Sequence, residues 1–357
     1  MPTSFPAQKK YVMPAEWEPH EATWISWPHP ETQSFPGSYE RVLPDFVKMA
    51  TLLAESEIVR INVRDGAEEK RVRKLLGKLP PERVEYFQIP TDEPWCRDHG
   101  PIFLRRHQSP KLAAVDFGFN AWGWKLSPFE SDNAAGRLMA EAVRAPVFNR
   151  QSIILEGGSI DVNGAGCVLT TESCLLNQNR NPGHSKESLE QVLRECLGIQ
   201  KVLWLGDGIE GDDTDGHIDD ITRFVSTRAV VTAVEEDESD PNYTPLQVNL
   251  ERLRTMTVAD GSPLWIHPLP MPPRIVREGQ RLPASYANFY IANTIILMPA
   301  FGDAADGWAA SILQELFPAR KVVPVDCREL IWGLGAFHCL TQQQPSTGPV
   351  PPPVLAP

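Results

Sequence analysis

Short apolar runs alternate along the chain with longer stretches in which apolar positions recur every three or four residues. The runs at 58–63, 84–89, 112–116, 202–205, 229–234, 294–298 and 321–325 are mostly rich in β-branched residues and have Gly, Pro or Asp nearby. That pattern predicts strands. The longer stretches predict helices, most clearly over 186–197. There Leu189, Val192, Leu193, Cys196 and Leu197 share a face, with Ser185 placed to cap the start and Gly198 to stop the helix. Cys196 lies on this apolar stripe and is expected in the core. Further helices are predicted over 68–76, 134–143 and 307–316. Strands and helices alternating from end to end define an α/β class. A doubly wound sheet, a barrel and a propeller of repeated β-α units all satisfy that alternation.

No exact internal repeat and no flexible linker interrupts the pattern, so a single domain is expected over 1–344. Pro-rich stretches occur at 1–19, 268–273 and in the tail 345–357, which is expected to be extended or mobile. No apolar run is long enough to span a bilayer, and residues 1–11 lack a signal-peptide core, so a cytoplasmic protein without membrane contact is expected. The 46 acidic residues against 34 basic ones, a net charge of −12, argue against nucleic acid as the main partner and suit a small cationic molecule. Homo-oligomerisation is left open. The six cysteines contain no CxxC pair, so reduced thiols are expected, and one of them is available for chemistry.

Four segments combine charged or reactive residues with glycine. In Trp95-Cys96-Arg97-Asp98-His99-Gly100, Asp98 offers hydrogen bonds and Trp95 a π face to a planar cation. An Arg97–Asp98 surface pair on a turn fits equally. Glu156, ahead of Gly157 and Gly158, follows an apolar run and can reach into a pocket from a strand end, or belong to an ordinary turn. In Asp212-Asp213-Thr214-Asp215-Gly216-His217-Ile218-Asp219-Asp220, an extended backbone would put His217 and Asp219 on one face, as general acid-base chemistry requires. A divalent-metal site and a solvated acidic loop are the competing readings. Last, Gly333-Leu334-Gly335-Ala336-Phe337-His338-Cys339 presents a thiol on a glycine-flanked turn, where backbone donors can favour a thiolate, although a lone thiol is more often structural. His338 is not automatically its base, since neighbours on a strand point to opposite faces.

Together, Trp-x-Arg-Asp, Glu-Gly-Gly, Asp-Gly-His-x-Asp and a late His-Cys-x-Thr-Gln-Gln resemble the agmatine deiminase and bacterial peptidylarginine deiminase family. Stretches at 13–20, 117–123, 177–182, 237–241, 284–293 and 316–323 are similar as well, so the resemblance runs from about Met13 to Gln344. It implies a five-bladed α/β propeller of ββαβ units (a pentein), with no metal and no organic cofactor. It implies Cys339 as nucleophile, His217 as general acid and base, Asp98 and Asp219 as the grip on the guanidinium, and Glu156 as support for the histidine. Trp95 and Asp213 match positions lining the agmatine site. The implied reaction is agmatine plus water to N-carbamoylputrescine and ammonia through a covalent thiouronium, with deimination of peptidylarginine or another alkylguanidine as the alternative. A metal-dependent ureohydrolase would need a second ligand segment that the chain lacks, and a non-catalytic guanidine-binding protein could dispense with Cys339. The chain departs from the family at Leu334 and Ala336, where Gly and Asn are usual, at Asp213, where Glu is frequent, and at Trp124–Ser127, usually glycine-rich.

Overall fold

The structure is a computed structural model that describes residues 4–77 and 79–348. Its first sheet contains β1 (His20–Ser26), β2 (Ile58–Val63) and β3 (Val84–Gln88). The second holds β4 (Ile102–Arg105), β5 (Leu112–Gly118) and β6 (Val147–Ile154), and the third β7 (Asp161–Val162), β8 (Cys167–Thr171) and β9 (Lys201–Leu205). The fourth comprises β10 (Thr222–Phe224), β11 (Ala229–Val234) and β12 (Trp265–Pro270). A hairpin, β13 (Val276–Arg277) with β14 (Gln280–Arg281), precedes the fifth: β15 (Tyr290–Ile291), β16 (Ile295–Ala300) and β17 (Lys321–Asp326). The last strand, β18 (Thr341–Pro345), returns to pair with β1.

One pairing rule repeats in the five larger sheets. An antiparallel pair (β4–β5, β7–β8, β10–β11, β15–β16, β18–β1) is followed by a parallel one (β5–β6, β8–β9, β11–β12, β16–β17, β1–β2). A parallel step requires a crossover. Helices supply it: Tyr39–Ser56, Glu130–Ala142, Lys186–Leu197, Tyr243–Thr255 and Ala304–Leu316. The α/β class expected from the alternation is the class observed.

The predicted strands all form, with ends within two residues of those expected. Helix Lys186–Leu197 has the predicted bounds. Ser185 Oγ accepts from Ser188 N, Gly198 takes a left-handed φ of 69°, and Leu189, Leu193, Cys196 and Leu197 are buried. Two elements form despite their prolines. The helix Tyr39–Ser56 forms around Pro44, which lies near its N-terminal end and leaves one carbonyl without its usual donor, while Val42, Phe46, Met49 and Leu53 fill the core. The 268–273 proline stretch is partly strand: Pro268 and Pro270 sit in β12, which pairs only with β11 and so tolerates residues without an N–H. At the C-terminus, Pro345 is buried opposite His20, and Ser346 N donates to Pro19 O at 2.8 Å. The chain therefore stays attached beyond residue 344, which corrects the expected start of the tail; residues 349–357 lie outside those described.

Candidate active site

Each of the five connections between successive units contributes to one place. Trp95 and Asp98 lie between β3 and β4, Glu156 between β6 and β7, and Asp213, His217 and Asp219 between β9 and β10. Asn288 lies between β14 and β15, and Cys339 between β17 and β18. Glu156 stands just past the end of β6, as its apolar lead-in predicts. His217 and Asp219 correct the sequence reading, because they do not share a strand face. Asp212 accepts from the backbone N–H groups of Thr214, Gly216 and His217, curling the segment into a turn, and 218–220 form a short 3-10 helix. The aspartates of this segment then diverge: Asp215 pairs with Lys125 and Arg180, and Asp220 accepts from Asn288.

Gly158 measures how closely the groups converge. A Cβ added there would lie 2.5 Å from His217 Nδ1, 2.8 Å from Asp98 Oδ1 and 3.1 Å from Asp219 Oδ2. Only glycine fits where three side chains from two connections press on the backbone of a third. Asp98 Oδ1 accepts from Gly158 N at 3.0 Å and stands 3.7 Å from His217 Nδ1, while Oδ2 accepts from Trp122 Nε1 at 2.9 Å. Each oxygen keeps a lone pair for a further donor. Cys339 Sγ lies 3.7 Å from Asp219 Oδ2 and 3.0 Å from Asn288 Nδ2.

Trp95, Asp98, Asp213 and Cys339 line a cavity of about 180 Å³ with Trp122, Leu126, Trp332 and Leu334. Glu156, His217 and Asp219 form a fully buried layer behind it. Burial opposes charge on His217, but the carboxylates of Asp98 and Glu156, with the Cys174 sulfur, push its pKa well above the ordinary histidine value. These neighbours therefore favour the protonated ring. Burial first, then the charges of Asp219 and Glu156, raises Asp98 to about 6 against the pull of His217. Asp213 also rises to about 6, through burial and its neighbour Asp212. Burial and the Asp219, Asp220 and Asp98 carboxylates push the Cys339 thiol well up, and the Asn288 amide works against them. Without a bound cation Cys339 is a thiol.

His338 is part of this arrangement without being the base of Cys339. Its Nδ1 lies 2.7 Å from Asp219 Oδ2 and its Nε2 2.8 Å from Glu16 Oε2. Burial and the Arg223 and Arg97 charges pull the His338 pKa below the ordinary histidine value, against the opposing pull of Glu16 and Asp219. Asp219 stays ionised, since the bond and charge of His338 overcome its burial. Glu16 also accepts from Arg97, from Arg223 in β10 and from Ile291 N in β15, tying these segments together. Arg180 Nε donates to Glu156 Oε1 at 2.5 Å. Glu16, Trp122, Arg180 and Asn288 were not singled out from sequence. Each lies in a stretch similar to the family, but a lone buried charge or amide leaves no local periodic signal.

Among the described residues, the grouping with metal-ligand spacing is Glu156, Cys174 and His217, whose ligand atoms lie within 4.8 Å of one another. The acidic run at 212–220 does not converge on a point. Arg180, bonded to Glu156, opposes a cation at the former group, so neither favours a metal centre.

The model of the Porphyromonas-type peptidyl-arginine deiminase family matches residues 12–345. The chain belongs to this family. It is 36% identical to an agmatine deiminase of Pseudomonas aeruginosa, over 97% of this chain and 98% of that protein. The structure of the Enterococcus faecalis agmatine deiminase superposes with a TM-score of 0.91 at 34% identity, covering 97% and 98% of the two chains. A substrate-bound cysteine-to-serine variant of a C. jejuni agmatine deiminase gives 0.84 at 32% identity, over 94% of this family member and 96% of that chain. Among the described residues of this family member, no helix is long and apolar enough to cross a membrane.

Proposed function

We propose that the chain hydrolyses agmatine to N-carbamoylputrescine and ammonia through a covalent intermediate on Cys339. One observation carries this reading: the Cys339 thiol and the Asp98 carboxylate line one small cavity, and the His217 imidazole and Asp219 carboxylate pack beside Asp98 around Gly158. A guanidinium seated between Asp98 and Asp219 would present its carbon to Sγ, each carboxylate accepting from its N–H groups. The arriving cation lowers the thiol pKa, and the thiol proton passes to solvent water. Sγ then attacks the guanidinium carbon to give a tetrahedral adduct. His217 donates its proton to one nitrogen, the C–N bond breaks, and ammonia leaves a thiouronium on Cys339. Neutral His217 next takes a proton from water as the oxygen attacks. Collapse breaks the C–S bond, the electron pair returning to sulfur and the hydroxyl proton following it, which releases the ureido product and restores the thiol. Glu156 supports His217 through its charge and is itself fixed by Arg180.

Trp95 and Asp213 would receive the substrate's aliphatic and cationic tail. We read the five repeated units as blades about one axis, with the inter-unit connections gathered at its end. Leu334 and Asp213, at the tail end of the cavity, favour as second reading another small alkylguanidine. Steady-state release of ureido product from agmatine, free arginine and an arginyl peptide separates the substrates. The proposal expects agmatine to lead, turnover to survive a chelator, and iodoacetamide to abolish it. No turnover of agmatine, or loss with the chelator alone, contradicts it.

A further inference from the structure

Asn288 occupies a position at the nucleophile that neither the motif set nor the roles above include. Its side chain is buried and all four of its hydrogen-bonding positions are engaged. Nδ2 donates to Asp220 Oδ1 at 2.9 Å and to Cys339 Sγ at 3.0 Å. Oδ1 accepts from His338 N at 3.1 Å and from Cys339 N at 3.4 Å. The partners fix which end of the amide faces sulfur. A reversed amide would set N–H against two backbone N–H groups and a carbonyl against a carboxylate, losing the bonds to Asp220, His338 N and Cys339 N. The donor at Sγ is therefore dictated by Asp220 on one side and by the turn carrying Cys339 on the other.

We infer that Asn288 is a catalytic residue whose amide N–H stabilises the Cys339 thiolate, with Asp220 as the positioning residue that aims it. The need for such a donor is visible in the site. The charges that act on Sγ are those of the acidic Asp219, which lies 3.7 Å away, Asp220 and Asp98, and with burial they disfavour a thiolate until a cation arrives. No other side-chain N–H within hydrogen-bond reach of Sγ is present among the described residues. The same donor acts twice in the cycle. It stabilises the sulfur anion before the S–C bond forms, and again when that bond breaks and the electron pair returns to sulfur. Ala336, in the turn ahead of Cys339, has no amide to offer. Asn288 reaches the nucleophile from a different connection instead.

The inference rests on Cys339 being the nucleophile, and the test separates the two. Alkylation of Cys339 by iodoacetamide is followed at about pH 8 by mass spectrometry, together with turnover, for the full chain. In wild type, alkylation at Cys339 should abolish turnover; retained activity overturns the nucleophile reading itself. In Asn288→Ala, alkylation of Cys339 should slow about tenfold, the counterpart of a thiol pKa raised by about one unit. Its kcat should fall at least as much, with the loss shrinking toward alkaline pH. Asn288→Asp keeps the shape and the acceptor for the His338 and Cys339 N–H groups; placing carboxylate oxygen against sulfur, it should slow alkylation further. A folded variant that alkylates at the wild-type rate, with only its melting temperature lowered, overturns the role of Asn288 and leaves that of Cys339 standing.

Discussion

At the residue scale the site depends on carboxylates held in the charged form against their burial. Asp98 must be ionised to grip a cation, and its pKa of about 6 places an acid limb there. kcat/KM for agmatine should fall about tenfold per unit as pH drops below about 6; a profile flat down to pH 5 contradicts the assignment. Asp213 has the same pKa with a consequence for stability. Its folded value lies above the unfolded one, near 4, so its contribution is fully present below pH 4 and is lost as pH rises through about 6. Above that, the ionised group destabilises the fold. Asp213→Asn should therefore melt higher than wild type at pH 8 and together with it at pH 4, while the KM for agmatine rises. Gly158 leaves no room for a side chain between His217 and Asp98. Gly158→Ala should displace Asp98 and His217 by a fraction of an ångström and reduce kcat/KM about a hundredfold, with circular dichroism unchanged.

At the element scale, what was legible depended on how far each signal reached along the chain. The helix Lys186–Leu197 carries its cap, stripe and stop within fourteen residues, from Ser185 to Gly198, and could be read in full. β18 could not. Its Thr-Gln-Gln-Gln run looks like polar loop, yet Gln342, Gln343 and Gln344 are buried. Arg97 donates to Gln342 and Gln343, and Trp24 to Gln344, so partners more than 240 residues away replace the missing apolar pattern. The His217–Asp219 pair failed as a strand for a local reason, because the Asp212 side chain captures backbone donors and curls the segment. Glu16 shows the energetic side of such long reach. It is buried and tied to Arg97, Arg223 and His338, and removing one partner of a buried charged network leaves the others uncompensated. Glu16→Ala should cost about 3–5 kcal/mol in urea unfolding; a loss below about 1 kcal/mol would show the network to be dispensable.

For the whole molecule, one pairing rule repeated through five sheets brings every inter-unit connection to the same place. β18 on β1 joins the end of the described chain to its beginning. That convergence explains why no single segment announced the site and why the four motifs together did: the chemistry is distributed over connections separated by tens of residues. It also explains why Asn288 escaped notice, since its partners come from two other connections. The central claim is that this assembly forms a covalent bond from Cys339 to the substrate carbon. It is tested most directly by acid-quenching the enzyme during turnover of agmatine and recording its intact mass and peptide map. The account predicts an adduct equal to agmatine less ammonia, confined to the Cys339 peptide and absent from Cys339→Ala, which makes no ureido product. Product formation by Cys339→Ala, or an adduct on another residue, would contradict it.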